Sequence, residues 1–394
     1  MIHLQIPRSS NILHKHIDCI EGSDERTLSN SLSYYLNDIK QRIAPQESEW
    51  DIYKRYTNPY EYIHTCVPGK RKCVAKVKPL SRSYFKMIEL TRFFHLLDGY
   101  EHIPSLQSFH LAEGPGGFIE ALSHIRNNKN DKYIGMTILD DAHDKNIPAW
   151  KKSQHFLREN PHVKIETGAN GTGDLLCIEN LDHCYDNYGS SMHIITGDGG
   201  FDFSVDFNSQ EKNVTKLLFA QALYAIVMQR KSGSFILKMF DCFIHSTIDI
   251  IAILSSFYEK VSITKPQTSR YANSEKYLVC KGFHFTRIHH IYPHLRLIFE
   301  KVLASNSITR FLNIPVPLIM ETKIEEYNAI FGQQQIESIH YTLSLLEHKH
   351  KQDKVDNLIK SHVQKCIQWC TRYQVPYYSL QNTPNHFLED SSSK

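Results

Sequence analysis

The segment His110-Leu-Ala-Glu-Gly-Pro-Gly-Gly-Phe118 closes an apolar run and opens a helical one. Glycines at such a turn let the backbone approach a ligand that a Cβ would obstruct, which points to a nucleotide-like cofactor. The spacing is not the G-x-G-x-x-G of dinucleotide enzymes and no Walker lysine follows, which counts against NAD and ATP. Asp140 and Asp141 stand near the distance expected of a ribose-binding acid, but the glycines do not fit that pattern. Two further acids, Asp174 in GTGDLL and Asp198 in IITGDGG, follow or end apolar segments, where the ligands of open α/β sheets bind. Asp174 reads equally well as the N-cap of a helix starting at Leu175. Lys238 lies inside the apolar run FILKMF, where an unpaired charge would be costly. From Tyr62 to Ile88 there is no acid, while Lys70, Arg71, Lys72, Lys76, Lys78, Arg82 and Lys86 all fall in that window. Such a stretch suits a phosphate backbone; as a bland alternative it is a solvated basic loop.

The elements that must position these groups follow from periodicity. Between Ser108 and about Phe285, short apolar runs (SFHLAE, KYIGMTIL, HVKIE, MHIITGD, SFILKMF, KVSIT, KYLVCKGF) alternate with helical patterns, among them GGFIEALSHI, an amphipathic stretch from Glu211 to Gln229, and STIDIIAILSSFY. This is the signature of a doubly wound, Rossmann-like α/β sheet. Residues 1–75 read as an N-terminal accessory segment with a helix near Leu28 to Ile43, residues 76–287 as the sheet domain, and residues 288–394 as a helical C-terminal segment with a packing or partner-binding role. At 41% hydrophobic and 22% charged residues, with no apolar run near the ~20 residues of a membrane span, the chain is expected to be soluble. No secretory signal is visible, and the nine scattered cysteines suit reduced thiols, so a cytoplasmic or nuclear setting is expected.

Five ordered segments resemble the FtsJ/RrmJ-type SAM-dependent methyltransferases, and particularly the branch that methylates the first transcribed nucleotides of capped mRNA. They are SRSYFKMIEL with Lys86, LAEGPGGF, TGDGGFDF with Asp198, SGSFILKMFD with Lys238, and KPQTSRYANSEKYLVCKGF with Glu275. NPYEYI at 58–63 and GMT at 135–137 resemble segments of the same branch. The resemblance implies a catalytic set of Lys86, Asp198, Lys238 and Glu275 that activates a ribose 2′-hydroxyl for attack on the methyl group of S-adenosyl-L-methionine. A sugar hydroxyl is too weak an acid to ionise at neutral pH, so a positioned base or a field for a developing alkoxide is required, and a lysine can supply either. It further implies that Glu113, Gly114, Pro115, Gly116, Gly117 and Phe118 wrap the cofactor, with Asp174 near its adenine and Asp198 near its amino-acid end. Many relatives carry Asp where this chain has His110. RNA, most specifically capped mRNA, is the expected partner, met by Lys76, Lys78, Arg82, Ser269, Arg270, Asn273 and Ser274.

Two alternatives use the same fold: a methyltransferase acting on internal ribose of rRNA or tRNA, and a catalytically silent RNA-binding scaffold. No metal is expected. His362, Cys366 and Cys370 recur every four residues on one helical pattern and read as a core-facing stripe, since three groups spread over ~12 Å of helix cannot easily share one ion. The clustered His284, His289, His290 and His294 read as structural or RNA-facing.

Overall fold

The computed structural model describes residues 1–23, 27–139, 149–200 and 210–378; Asp140, Asp141 and the Phe201–Phe203 end of the TGDGGFDF motif lie outside these. Among the described residues there are ten strands: β1 (His3–Ile6), β2 (Ile17–Glu21), β3 (Gln107–Leu111), β4 (Lys132–Met136), β5 (Val163–Glu166), β6 (Met192–Gly197), β7 (Gln229–Met239), β8 (Tyr258–Thr264), β9 (Lys276–Phe283) and β10 (Ile308–Leu312). Eight form one sheet in the order β1-β8-β9-β7-β6-β3-β4-β5. Strands β3 to β7 run parallel, whereas β9, β8 and β1 are added antiparallel. All seven apolar runs of the sequence are strands of this sheet.

The sheet is covered on both faces, and strand alternation divides its side chains between two cores. Phe109, Leu111, Ile195, Phe235 and Leu237 pack with the helices Thr215–Met228 and His245–Phe257, while Ile194, Ile236, Tyr277 and Val279 pack with the helices Ser83–Phe93 and Gly117–Arg126. Burial of both faces is why these strands read as continuous apolar runs. The stretch expected to be amphipathic from Glu211 onward is instead a short turn, Gln210–Asn213, followed by Thr215–Met228, in which all but Lys216 and Leu217 are buried. Its outer side is covered by the helix Tyr292–Ala304, so it has no solvent face to mark with polar residues.

Both ends of the chain enter this architecture. β1 closes the sheet on β8, pairing His3 with Thr264 and Ile6 with Val261, and β2 pairs antiparallel with β10. The helix expected near Leu28 to Ile43 spans Asn30–Gln41 and is tied to the sheet by Lys40, whose Nζ lies 3.0 Å from Asp241. The C-terminal part forms the helices Leu318–Glu347 and Gln352–Arg372. Among the described residues no helix is long and apolar enough to cross a membrane.

Candidate active site

The chain runs β3, β4, β5 outward on one side and then returns to place β6 against the other side of β3, so the carboxyl ends of β3 and β6 border a crevice at the switch in strand order. The Asp198 backbone N–H donates to the Leu111 carbonyl at 3.1 Å and ties these two ends together. Glu113 leaves β3 into this crevice, and Asp198 leaves β6. Lys238 lies near the end of β7, opposite Tyr277 of β9, and Glu275 immediately precedes β9. Lys86 comes from the helix Ser83–Phe93, which packs beside the helix of the glycine turn.

Four side chains from four segments thereby meet. Lys86 Nζ lies 2.7 Å from the Glu275 carboxylate, and Lys238 Nζ donates to the Asp198 carbonyl at 2.6 Å and lies 3.3 Å from its carboxylate. The Tyr277 hydroxyl donates to Asp198 Oδ1 at 3.3 Å, and the Lys86 ammonium lies 6.0 Å from the Tyr277 ring centroid. Burial alone would raise the Glu275 carboxyl, but the Lys86 and Lys238 ammoniums and the Ser269 hydroxyl outweigh it and hold it at about 2. Burial pulls the Lys86 ammonium below the ordinary lysine value, against the Glu275 and Asp198 charges. The backbone at Gly200 passes close beside Lys238, since a Cβ there would stand 3.1 Å from the Phe240 ring and 3.4 Å from the Lys238 Nζ.

At the glycine turn, Glu113 Oε1 accepts the Phe118 backbone N–H at 2.7 Å, while its Oε2 is buried without a partner. Burial and the Asp198 charge push this carboxyl well above its ordinary value. An orphan acceptor flanked by a second acid could take a cationic group. Gly116 adopts φ +102°, a backbone conformation suited to glycine, and Pro115 holds Ser153 through its carbonyl. The space beside Gly114 and Gly117 is filled by protein: a Cβ on Gly114 would meet the Ala149 carbonyl at 2.5 Å, and one on Gly117 would meet Ser83 Oγ at 2.2 Å. Those two glycines therefore set close backbone packing around the turn. Asp174 is not a helix N-cap, because the helix begins at Ile178; its Oδ1 instead accepts the Leu176 N–H at 2.9 Å in a tight turn after β5. His110 is fully buried between Ser108 Oγ and Thr196 Oγ1, both at 2.8 Å, and burial holds it neutral with a pKa of about 3.

The expected RNA-facing residues separate into two kinds. Lys76 and Lys78 are exposed on a strip that the chain end braces: Ala75 bridges Tyr377, the Lys76 N–H donates to the Pro376 carbonyl at 2.8 Å, and the Lys72 and Lys76 ammoniums lie 4.8 and 5.6 Å from the Tyr378 ring centroid. Arg82, Ser269, Arg270 and Asn273 instead make internal bonds that shape the loop leading to Glu275. Ser269 Oγ donates to Glu275 Oε1 at 2.8 Å; Arg270 makes a two-pronged pair with Glu61 at 2.7 and 3.0 Å; Asn273 Oδ1 accepts from Lys265 Nζ at 2.9 Å; and Arg82 donates to the Thr268 carbonyl at 3.4 Å. Ser274 is buried. Glu61, Lys265 and Tyr277 are site residues that sequence reasoning passed over, although each lies inside a segment quoted above, NPYEYI or KPQTSRYANSEKY.

The other clusters stand elsewhere. His362, Cys366 and Cys370 are buried on the Gln352–Arg372 helix, and His294 Nε2–H donates to the Ile17 carbonyl at 3.0 Å, packed against His14. Among the described residues no group of three or more His, Cys, Asp or Glu could hold a metal ion.

Residues 79–283 match the model of the FtsJ-like methyltransferases. The cap-specific mRNA (nucleoside-2′-O-)-methyltransferase 2 of Pongo abelii is 28% identical over 360 residues, covering 88% of this chain and 45% of that protein. The cap-specific mRNA (nucleoside-2′-O-)-methyltransferase 1 of Danio rerio is 37% identical over 294 residues, 70% of this chain and 31% of its own. The chain thus spans about half or less of the length of these relatives. With the family pattern matched across seven of the eight strands of the sheet, β3 to β9, and the crevice at their ends, the chain belongs to the FtsJ-like methyltransferase family.

Proposed function

We propose that the chain transfers a methyl group from S-adenosyl-L-methionine to a ribose 2′-hydroxyl of RNA, at the first or second transcribed nucleotide of capped mRNA. The observation that carries this reading is the joined set of two lysines and two acids, Lys86 with Glu275 and Lys238 with Asp198, in one crevice. The cofactor, when bound, supplies an electrophilic methyl carbon. The unpartnered Glu113 Oε2 is placed to accept from its ammonium, the turn Gly114 to Phe118 to bound it, and Asp174 to meet its far end. Lys238 takes the hydroxyl proton or stabilises the developing alkoxide as the ribose oxygen attacks the methyl carbon, and the Asp198 carbonyl and carboxylate orient its nitrogen. Lys86 and Glu275, an ion pair with Tyr277 alongside, fix the distances in which this happens. Lys76 and Lys78 meet phosphates of the RNA. The relatives named for cap-specific mRNA support the cap as the target.

Transfer of a labelled methyl group to short RNAs ending in cap-0, cap-1 or an uncapped 5′ end tests the reading, with Lys238→Ala as control. Incorporation into cap-0 RNA alone points to the first nucleotide, and incorporation into cap-1 RNA to the second. Equal labelling of uncapped RNA would replace the cap reading with an internal ribose target.

A further inference from the structure

Glu89 stands three residues beyond Lys86 on the same helix, and its carboxylate is fully buried. It accepts four hydrogen bonds, all from neutral groups: the Gln267 N–H at 2.8 Å, the Thr268 N–H at 3.2 Å, Thr268 Oγ1 at 3.1 Å and the Trp369 indole N–H at 3.2 Å. The first three belong to the loop that runs into Glu275, and the next residue, Ser269, is the one that holds the Glu275 carboxylate. The fourth comes from the C-terminal helix. That helix braces the loop at a second point, because it packs on the turn Glu61–Ile63, where Glu61 grips Arg270, and its Cys366 Sγ lies 3.6 Å from the Pro59 carbonyl.

We infer that Glu89 is a positioning residue for methyl transfer and that Trp369 fixes its carboxylate, so that the C-terminal helix is a working part of the active site. The inference rests on the reading of Lys86 and Glu275 as members of the catalytic set. Lys86 and Glu89 act as two clasps on one helix, one on Glu275 and one on the loop two residues ahead of Ser269. Deep burial raises the Glu89 carboxyl, and the donated hydrogen bonds oppose that by favouring the charged acceptor. With the indole donor removed, the carboxylate has one bond fewer on the oxygen shared with Thr268. The loop then gains freedom in the direction that separates Glu275 from Lys86.

Trp369→Phe tests this, since it deletes the N–H while keeping a ring against Phe85 and Tyr373, which lie at centroid distances of 6.0 and 4.9 Å. A misplacement of roughly 1 Å costs up to about 10²-fold in rate. The expected result is a fall in kcat of about 10-fold or more with KM for S-adenosyl-L-methionine changed less than about 2-fold. Val363→Ala, a truncation of a buried apolar residue on the same helix, is the comparison for loosened packing. Glu89→Gln, which keeps the volume but not the capacity to accept four bonds, is measured beside it in case the indole substitution unfolds the chain. Equal kcat losses in Val363→Ala and Trp369→Phe at the same drop in Tm overturn the inference, as does unchanged kcat in both Trp369→Phe and Glu89→Gln. Glu275→Gln separates the two levels: its inactivity beside fully active Trp369→Phe and Glu89→Gln sinks the inference alone, whereas full activity of Glu275→Gln sinks the reading beneath it and the inference together.

Discussion

Replacing Lys86 by Met breaks an ion pair whose side chains are only 12% and 13% exposed, and its cost can be worked out in advance. Two unit charges 4 Å apart attract by about 4 kcal/mol at an effective dielectric near 20. The Glu275 carboxyl gives a second estimate: held at about 2 against an ordinary 4.5, it corresponds to about 3 kcal/mol of native-state stabilisation at neutral pH. Because the folded value is depressed, that stability is present above pH ~4.5 and fades as pH falls toward 2. A double-mutant cycle isolates the pair: wild type, Lys86→Met, Glu275→Gln and the combined variant, each unfolded in urea at pH 7. Each single substitution should cost about 3 kcal/mol by stranding a buried partner, and the double should cost little more than either, giving a coupling of about 3 kcal/mol. At pH 3.5 the coupling should shrink. Single effects that simply add, with a coupling below about 1 kcal/mol, would refute the picture of a charged, interlocked pair.

Asp241 accepts from Lys40 at 3.0 Å and from Lys276 at 2.9 Å, and all three side chains are below 10% exposed, so Asp241→Asn should strand two buried ammoniums at a cost of about 3–5 kcal/mol. Hydrogen exchange should then quicken selectively in the helix Asn30–Gln41; unchanged protection there would count against the tether. His110, neutral in the fold with a pKa of about 3, makes a pH demand of the same sign as Glu275 in a higher window: once pH drops below ~6.5 the unfolded chain binds a proton that the native chain refuses. By pH 5 this costs about 2 kcal/mol. His110→Gln should lose that share of the pH 7 to pH 5 difference in urea unfolding, and an identical difference in both proteins would show that the ring is not held neutral.

Among the strands legible in the sequence, β3, β4, β6 and β9 are buried along most of their length, where selection for burial writes an unbroken apolar run, whereas the edge strand β5 is short and largely exposed. β1 is different. His-Leu-Gln-Ile is four residues long and partly exposed, and its partner lies more than 250 residues away, so no local pattern announces it. β2 and β10 are hidden for the same reason. The Lys86, Asp198, Lys238 and Glu275 segments were recognisable because each is a string of unusual residues with fixed neighbours. The direction in which a polar side chain points is not written that way. Ser269, Arg270 and Asn273 read as groups for a ligand, yet the fold turns them inward to shape the loop before Glu275, since a buried carboxylate needs donors close by. Glu89 carried no signal at all, as a single acid in a helix is ordinarily a solvated charge.

The strip around Lys76 has a thermodynamic consequence. Its backbone is already bridged to Tyr377 and hydrogen-bonded to Pro376 and, through Tyr378, to Val74. Ordering a free loop costs roughly 1–2 kcal/mol for every residue fixed. A polyanion meeting this strip finds lysines on a rail whose ordering was settled during folding, so little of the electrostatic attraction is spent on freezing chain. Association there should therefore carry a small conformational entropy loss, and its strength should track salt concentration through the lysine charges themselves.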